Sequence, residues 1–213
     1  MSNAWMAMLI GLLGLDTTIA FQMLLSQPIF ACTILGWVHG DVVLGLEIGT
    51  MLQLLWLHIV PAGASTFPEG NLGSMIVAAL ALQFASLERP HTVFTLALLA
   101  GMSVSYLGQR LTSLDRRVNS RLFDASVGAA ERMAFRQIAA LTALSVVKSW
   151  LLMSLLAYLV LLVGQWILPE LVAQVPAAWE ARLAVVPLLV WGIGIALTVP
   201  LVYNALLDKS RRS

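Results

Sequence analysis

The chain of 213 residues is 60% hydrophobic and only 11% charged, against about a quarter charged in an ordinary soluble domain, and its mean hydropathy is +0.89. A chain this short cannot enclose so much apolar surface in a core of its own, so a bilayer has to solvate much of it. The formal net charge of +1 conceals an uneven distribution: residues 1–88 carry no Lys or Arg, and eleven of the twelve basic residues lie from Arg110 onward, without the basic face of a nucleic-acid binder.

In chain order, Trp5–Leu25 has no positive n-region of a signal peptide and reads as a retained first membrane segment, with Asp16 about midway along it. The apolar stretch 28–60 is too long for one crossing of about 20 residues and too short for two. It is broken at His39-Gly40-Asp41 and ends in Val60-Pro61-Ala62-Gly63. The next stretch, 72–87, is short. Short apolar segments interrupted by Gly or Pro predict discontinuous or re-entrant helices, whose freed backbone groups need cover from protein or a watery cavity. Stretches 92–109, 138–168 and 183–207 predict crossings. Between the first two of these, Leu111, Leu114, Val118 and Leu122 recur at helical spacing while Arg116, Arg117, Arg121, Arg132 and Arg136 populate the other faces, which predicts a basic amphipathic helix, or a pair of them, at the membrane surface.

The expected fold class is therefore all-α: a polytopic helical membrane protein with discontinuous helices and a basic surface helix. The chain divides into an N-terminal membrane core (1–109), a cytoplasmic basic segment (110–137) and a two-helix membrane hairpin with a tail (138–213). Two crossings return the chain to one side, so the 110–137 segment and the tail with Lys209, Arg211 and Arg212 share the cytoplasm. The intervening loop holds Glu170, Glu180 and Arg182, as expected for the outer side. The sidedness of the N-terminal part stays open.

The lone Cys32 rules out an intrachain disulfide. His39, His58 and His91 are scattered and match no metal motif. No nucleophile elbow, phosphate loop or dinucleotide fingerprint occurs, so no catalytic residue, metal or cofactor is expected. Asp16, Asp41, Glu47 and Glu69 lie in or beside apolar segments with no cation nearby in sequence, a pattern that points to a cavity, a substrate or a proton path. Asp41 follows Gly40 and reads as a helix N-cap. Gly36 and Gly40, and Gly45 and Gly49, have the spacing that lets helices approach closely. The stretch from Gly49 to Ser74 is the most informative. Gln53 sits in an apolar helix, the helix breaks at Pro61-Ala62-Gly63-Ala64, and Ser65, Thr66, Glu69 and Asn71 follow. With Trp56 and Phe67 as aromatic faces, this is equipment for a neutral polyol.

Two runs carry a resemblance. The first is Asp16-x4-Phe21-Gln22-x3-Ser26-Gln27-Pro28, then Ala31-Cys32-Thr33-Ile34-Leu35-Gly36-x3-Gly40-Asp41. The second is Gly45-x3-Gly49-x3-Gln53-Leu54, then Val60-Pro61-Ala62-Gly63-Ala64 and Pro68-Glu69. They resemble the signature of the membrane-spanning IIC subunit of mannose/sorbose-class sugar phosphotransferase systems, with spacing kept from Asp16 to Ser74. Gln27 stands where that signature has Arg, Glu69 where it has Asp or Asn, and the chain is shorter than the family at its C-terminus. The resemblance implies a permease subunit in a bacterial inner membrane that binds and translocates a hexose-type sugar. It implies work with a IID membrane subunit and with phosphorylated IIA and IIB, IIB delivering the phosphoryl group, and a possible homo-oligomer. Carried over by position, Gln53, Ala62, Gly63 and Glu69 belong to the sugar site, and Asp16 and Gln22 match polar residues of the first segment; Asn71 joins them from the reading of the residues. Two other readings stand beside this one: a non-transporting regulatory or scaffold subunit of the same fold, and an ion-coupled secondary transporter that uses Asp16 and Glu47.

Overall fold

The computed structural model describes residues 2–17, 19–59 and 67–212, with side chains through Tyr203. Among the described residues eight helices follow in order: α1 (Asn3–Leu15), α2 (Pro28–His39), α3 (Val42–Trp56), α4 (Gly70–Gln83), α5 (Pro90–Glu131), α6 (Phe135–Gln174), α7 (Ala178–Leu183) and α8 (Val185–Arg212). Among the described residues three stretches are long and apolar enough to cross a membrane: α5, α6, and α7 with α8 through Tyr203. The first four helices have 12 to 15 residues, about 18–22 Å at 1.5 Å per residue, which is short of a hydrocarbon core of about 30 Å. The expected discontinuous helices are these.

The first membrane segment is shorter than expected. α1 stops at Leu15, and Asp16 is its C-cap rather than a mid-helix residue. The Asp16 carboxylate accepts the backbone N–H groups of Met23 (2.6 Å) and Ser26 (3.0 Å), so the chain folds back on itself where a continuous helix was expected. Phe21, Gln22 and Leu24 there take positive φ, a region that costs a residue with a Cβ of order 1–3 kcal/mol unless the surroundings hold it.

α2 and α3 form an antiparallel hairpin. Gly40 closes α2 at φ 98°, and the Asp41 side chain accepts the Leu44 N–H at 3.0 Å to start α3, which is the expected cap. The small residues set the helix separation. A Cβ on Gly45 would lie 2.5 Å from the Cys32 carbonyl oxygen, and one on Gly36 would lie 3.0 Å from the Gly45 Cα. Gly36, Gly45 and Gly49 thus all make the close approach, a Cβ on Gly49 lying 2.5 Å from the Pro28 carbonyl oxygen, while Gly40 faces open space.

α4 is the hub. Leu72 through Leu82 are all buried, as befits a helix apolar on every side. Its Gly73 meets Gly101 of α5, its Leu80 meets Gly164 of α6, and its Ser74 carbonyl receives the Cys32 thiol of α2 at 3.5 Å. α1 runs antiparallel to α6, with Gly11 against Ser154 and Asn3 bonded to Gln165 at 2.7 Å.

The basic amphipathic stretch is helical, and it continues α5 without a break. At 42 residues α5 is about 63 Å long, roughly twice the hydrocarbon thickness. The divisions at 109 and 137 therefore fall inside α5 and α6 and mark a change of charge along continuous helices. The sequence hides this because hydropathy drops where a helix leaves the bilayer, whether or not the helix ends there.

Candidate functional site

Residues 26 and 27, just ahead of Pro28, receive polar groups from three other parts of the chain. The Ser26 N–H donates to Asp16 at the end of α1. The Ser26 hydroxyl accepts from the Asn71 amide of α4 at 3.3 Å. The Gln27 side-chain oxygen accepts from the Gln53 amide of α3 at 3.0 Å. Gln53 in turn accepts the Ile29 N–H through its own oxygen, at 3.4 Å. That N–H is one of the unpaired donors of the first turn of α2, and Gln27, the N-cap, makes no side-chain cap of its own.

Around this junction lies a cavity of about 370 Å³, within the size range of small-molecule sites. Asp16, Gln22, Gln53, Glu69 and Asn71, all named from sequence, line it. Ala62 and Gly63 lie outside the described residues. Trp56 and Phe67 supply the expected aromatic faces. Trp56 is held there because Gly70 has no Cβ, which would sit 2.3 Å from the indole. Glu47 is exposed on the outside of α3 and lines no part of the cavity.

Sequence reading passed over Ser26 as a site residue and noted Gln27 only as a departure. The available signal was a run of Gln22, Ser26 and Gln27 immediately before a Pro-initiated apolar helix. Reading along the chain also left Glu69 without a cation. The fold brings Arg116 of α5 near enough to act on it electrostatically. Glu69 is buried, its backbone N–H donates to the Ser105 carbonyl at 2.9 Å, and its side chain packs over Gly108. Among the described lining residues there is no Lys or Arg. The amides and carboxylates suit a neutral ligand rich in hydroxyls, with an aromatic face to cover its apolar side.

A family model described as the PTS system sorbose-specific IIC component matches residues 1–207. The chain belongs to that family. A PTS sorbose-specific EIIC component of Klebsiella pneumoniae is 30% identical to this IIC-family chain over 112 residues, which is 53% of this chain and 40% of that protein. The matched stretch is thus less than half of the curated relative. Two solved structures share the fold. One is a membrane protein with a TM-score of 0.73 at 20% identity. The other is a complex of the mannose transporter ManYZ with microcin E492, with a TM-score of 0.66 at 19% identity. Each match covers 98% of this chain and 86% of the other. With its apolar spans, this IIC-family member is a multi-pass membrane protein.

Proposed function

We propose that this chain is the permease subunit of a bacterial sugar phosphotransferase system, binding a hexose-type sugar in the cavity around Ser26 and Gln27 and passing it across the inner membrane. The observation that carries the reading is the gathering of Asp16, Gln22, Gln53, Glu69 and Asn71 from α1, the following loop, α3 and α4 around one space. A cavity that offers amide donors and acceptors beside an indole face is suited to hydroxyl recognition.

Its depth supports the role. Glu69 is bonded to Ser105, fifteen residues into α5 and about 22 Å from its start. The arginine-rich stretch begins at Arg110. If those arginines mark the cytoplasmic side, the cavity lies near that side, where a soluble phosphorylated IIB can reach a bound sugar. IIA would recharge IIB, and IID would complete the membrane complex. The chain itself holds the sugar and carries no phosphoryl group. The test is phosphoenolpyruvate-dependent phosphorylation of a panel of hexoses and hexosamines by membranes containing this chain with its cognate IIA, IIB and IID. Phosphorylation that requires the chain supports the reading. A chain that co-purifies with IID yet supports no phosphorylation is a regulatory subunit instead.

A further inference from the structure

The hydrogen-bond directions at the junction divide the labour between its two glutamines. A backbone N–H can only donate, so the Gln53 group facing Ile29 N has to be the side-chain oxygen. That fixes the Gln53 amide the other way round, with its Nε2 toward Gln27. The group Gln27 offers to Gln53 is then its oxygen, which leaves the Gln27 NH2 turned away from Gln53. Among the described residues no acceptor takes the two Gln27 hydrogens, and Gln27 lines the cavity. Gln53 is thus tied to protein through both ends of its amide: its oxygen caps the first turn of α2, and one of its two N–H groups orients Gln27.

We propose that Gln27 is the amide that donates to the sugar and sets specificity at this position, and that Gln53 is a positioning residue that caps α2 and fixes the direction of the Gln27 amide. The inference rests on the sugar-binding reading above. It assigns to this chain an uncharged donor pair at the position where the family signature carries a guanidinium. A hydroxyl or ring oxygen is the matching substrate group.

The purified full chain in nanodiscs, with binding of radiolabelled hexoses and hexosamines and a parallel thermal unfolding measurement, tests this. Gln27→Ala is expected to weaken binding about tenfold or more, the usual cost of one lost hydrogen bond to a ligand, with only a small fall in unfolding midpoint, because the Gln53 N–H it strands faces the cavity. Gln27→Glu keeps the oxygen that Gln53 needs but removes both donors, so it is expected to lose binding to at least the same degree. Gln53→Glu separates the two roles. One oxygen still caps Ile29, but the other now accepts from Gln27, which turns the Gln27 amide round and draws its donors away from the sugar; binding falls while the fold stands. If the wild type binds a sugar and the Gln27 variants bind it equally well, the inference fails and the function stands. It fails in the same way if Gln53→Glu binds like wild type. If the wild type binds no sugar of the panel, both fail.

Discussion

Lys148 Nζ lies 2.6 Å from Asp115 Oδ1, joining α5 and α6 in the half of the hairpin that carries the arginines. The pair sits in a fuller network. Asp115 also accepts from the Ser149 hydroxyl (2.7 Å) and the Asn119 amide (3.1 Å), and Lys148 donates to Asn119 at 2.7 Å. Asp115 is nearly buried, with its side chain 8% exposed. A buried ion pair adds little over a well-packed apolar pair, but removing one partner strands the other charge. Lys148→Met is therefore expected to cost about 3 kcal/mol, the low end for such a pair, because the Lys side is open to solvent. Asp115→Asn combined with Lys148→Met should recover much of that loss, because Asn still accepts from Ser149. Thermal unfolding in detergent, compared across the two single variants and the double, checks the non-additivity.

Asp16 tests whether a carboxylate in the membrane core is there for its charge or for its two acceptors. Both oxygens are engaged by backbone N–H groups of the loop that walls the cavity. Asp16→Asn keeps one acceptor and should lower stability modestly. Asp16→Ala strands two donors and should cost about 1–3 kcal/mol. It should also loosen Phe21, Met23 and Leu24, whose side chains are already exposed, and so speed proteolytic nicking there. If Asp16→Asn abolishes sugar binding at unchanged stability and proteolysis, the charge itself is needed and the clamp reading is wrong.

How much of this was legible depended on whether partners were close in sequence. The Asp41 cap could be read because it bonds three residues away. The close approach of α2 and α3 was signalled by glycines four apart, although the pair that meets is Gly36 with Gly45, which needed the hairpin to be seen. Gln53 stood out as a polar residue in an apolar helix, and Glu69 and Asn71 as polar residues following the break of that helix. The Asp115–Lys148 pair did not, because its members fall on either side of a turn and looked like parts of separate segments. The end of α1 was missed for a related reason: hydropathy runs on through Phe21–Leu25, while the carboxylate that turns the chain back acts through backbone amides, which leave no mark in side-chain composition.

The glycines of the α2–α3 hairpin make different demands, so the same substitution should have unequal effects. Gly45→Ala pushes a methyl to 2.5 Å from the Cys32 carbonyl oxygen, a rigid backbone atom. Overpacking of this kind costs about 1–3 kcal/mol, and separating α2 from α3 would also disturb the Gln53–Gln27 contact. Gly40→Ala meets no atom within 4 Å but has to hold φ 98°, which costs about 1–2 kcal/mol in the backbone alone. Gly45→Ala should therefore reduce both unfolding midpoint and sugar affinity, and Gly40→Ala the midpoint only. Equal effects on affinity would mean that the hairpin spacing does not shape the site.

At the far end of α5 and α6 the helix termini are capped in exchange. Glu180, from α7, accepts the N–H groups of His91 (2.7 Å) and Thr92 (3.1 Å) and the Thr92 hydroxyl (2.6 Å), placing a negative charge at the start of α5. Arg89, just before α5, donates to the carbonyls of Val172 (2.9 Å) and Val175 (2.5 Å), placing a positive charge at the end of α6. Each charge has the sign the helix dipole favours and satisfies groups that a helix end leaves unpaired. The two contacts act on different helices, so their loss should be separable by hydrogen exchange. Glu180→Ala should accelerate exchange of the His91 and Thr92 amides and cost about 1–2 kcal/mol, leaving the end of α6 as it was. Arg89→Ala should instead fray the last turn of α6 and accelerate exchange at Val175, whose N–H is bonded to the Leu171 carbonyl. Both bonds leave from the single nitrogen Nη1, so Arg89→Lys, whose ammonium keeps the charge and has three donors on one nitrogen, should recover much of that protection. Exchange that rises at both helix ends in either variant would show that the caps work as one unit through α7 rather than as two independent contacts.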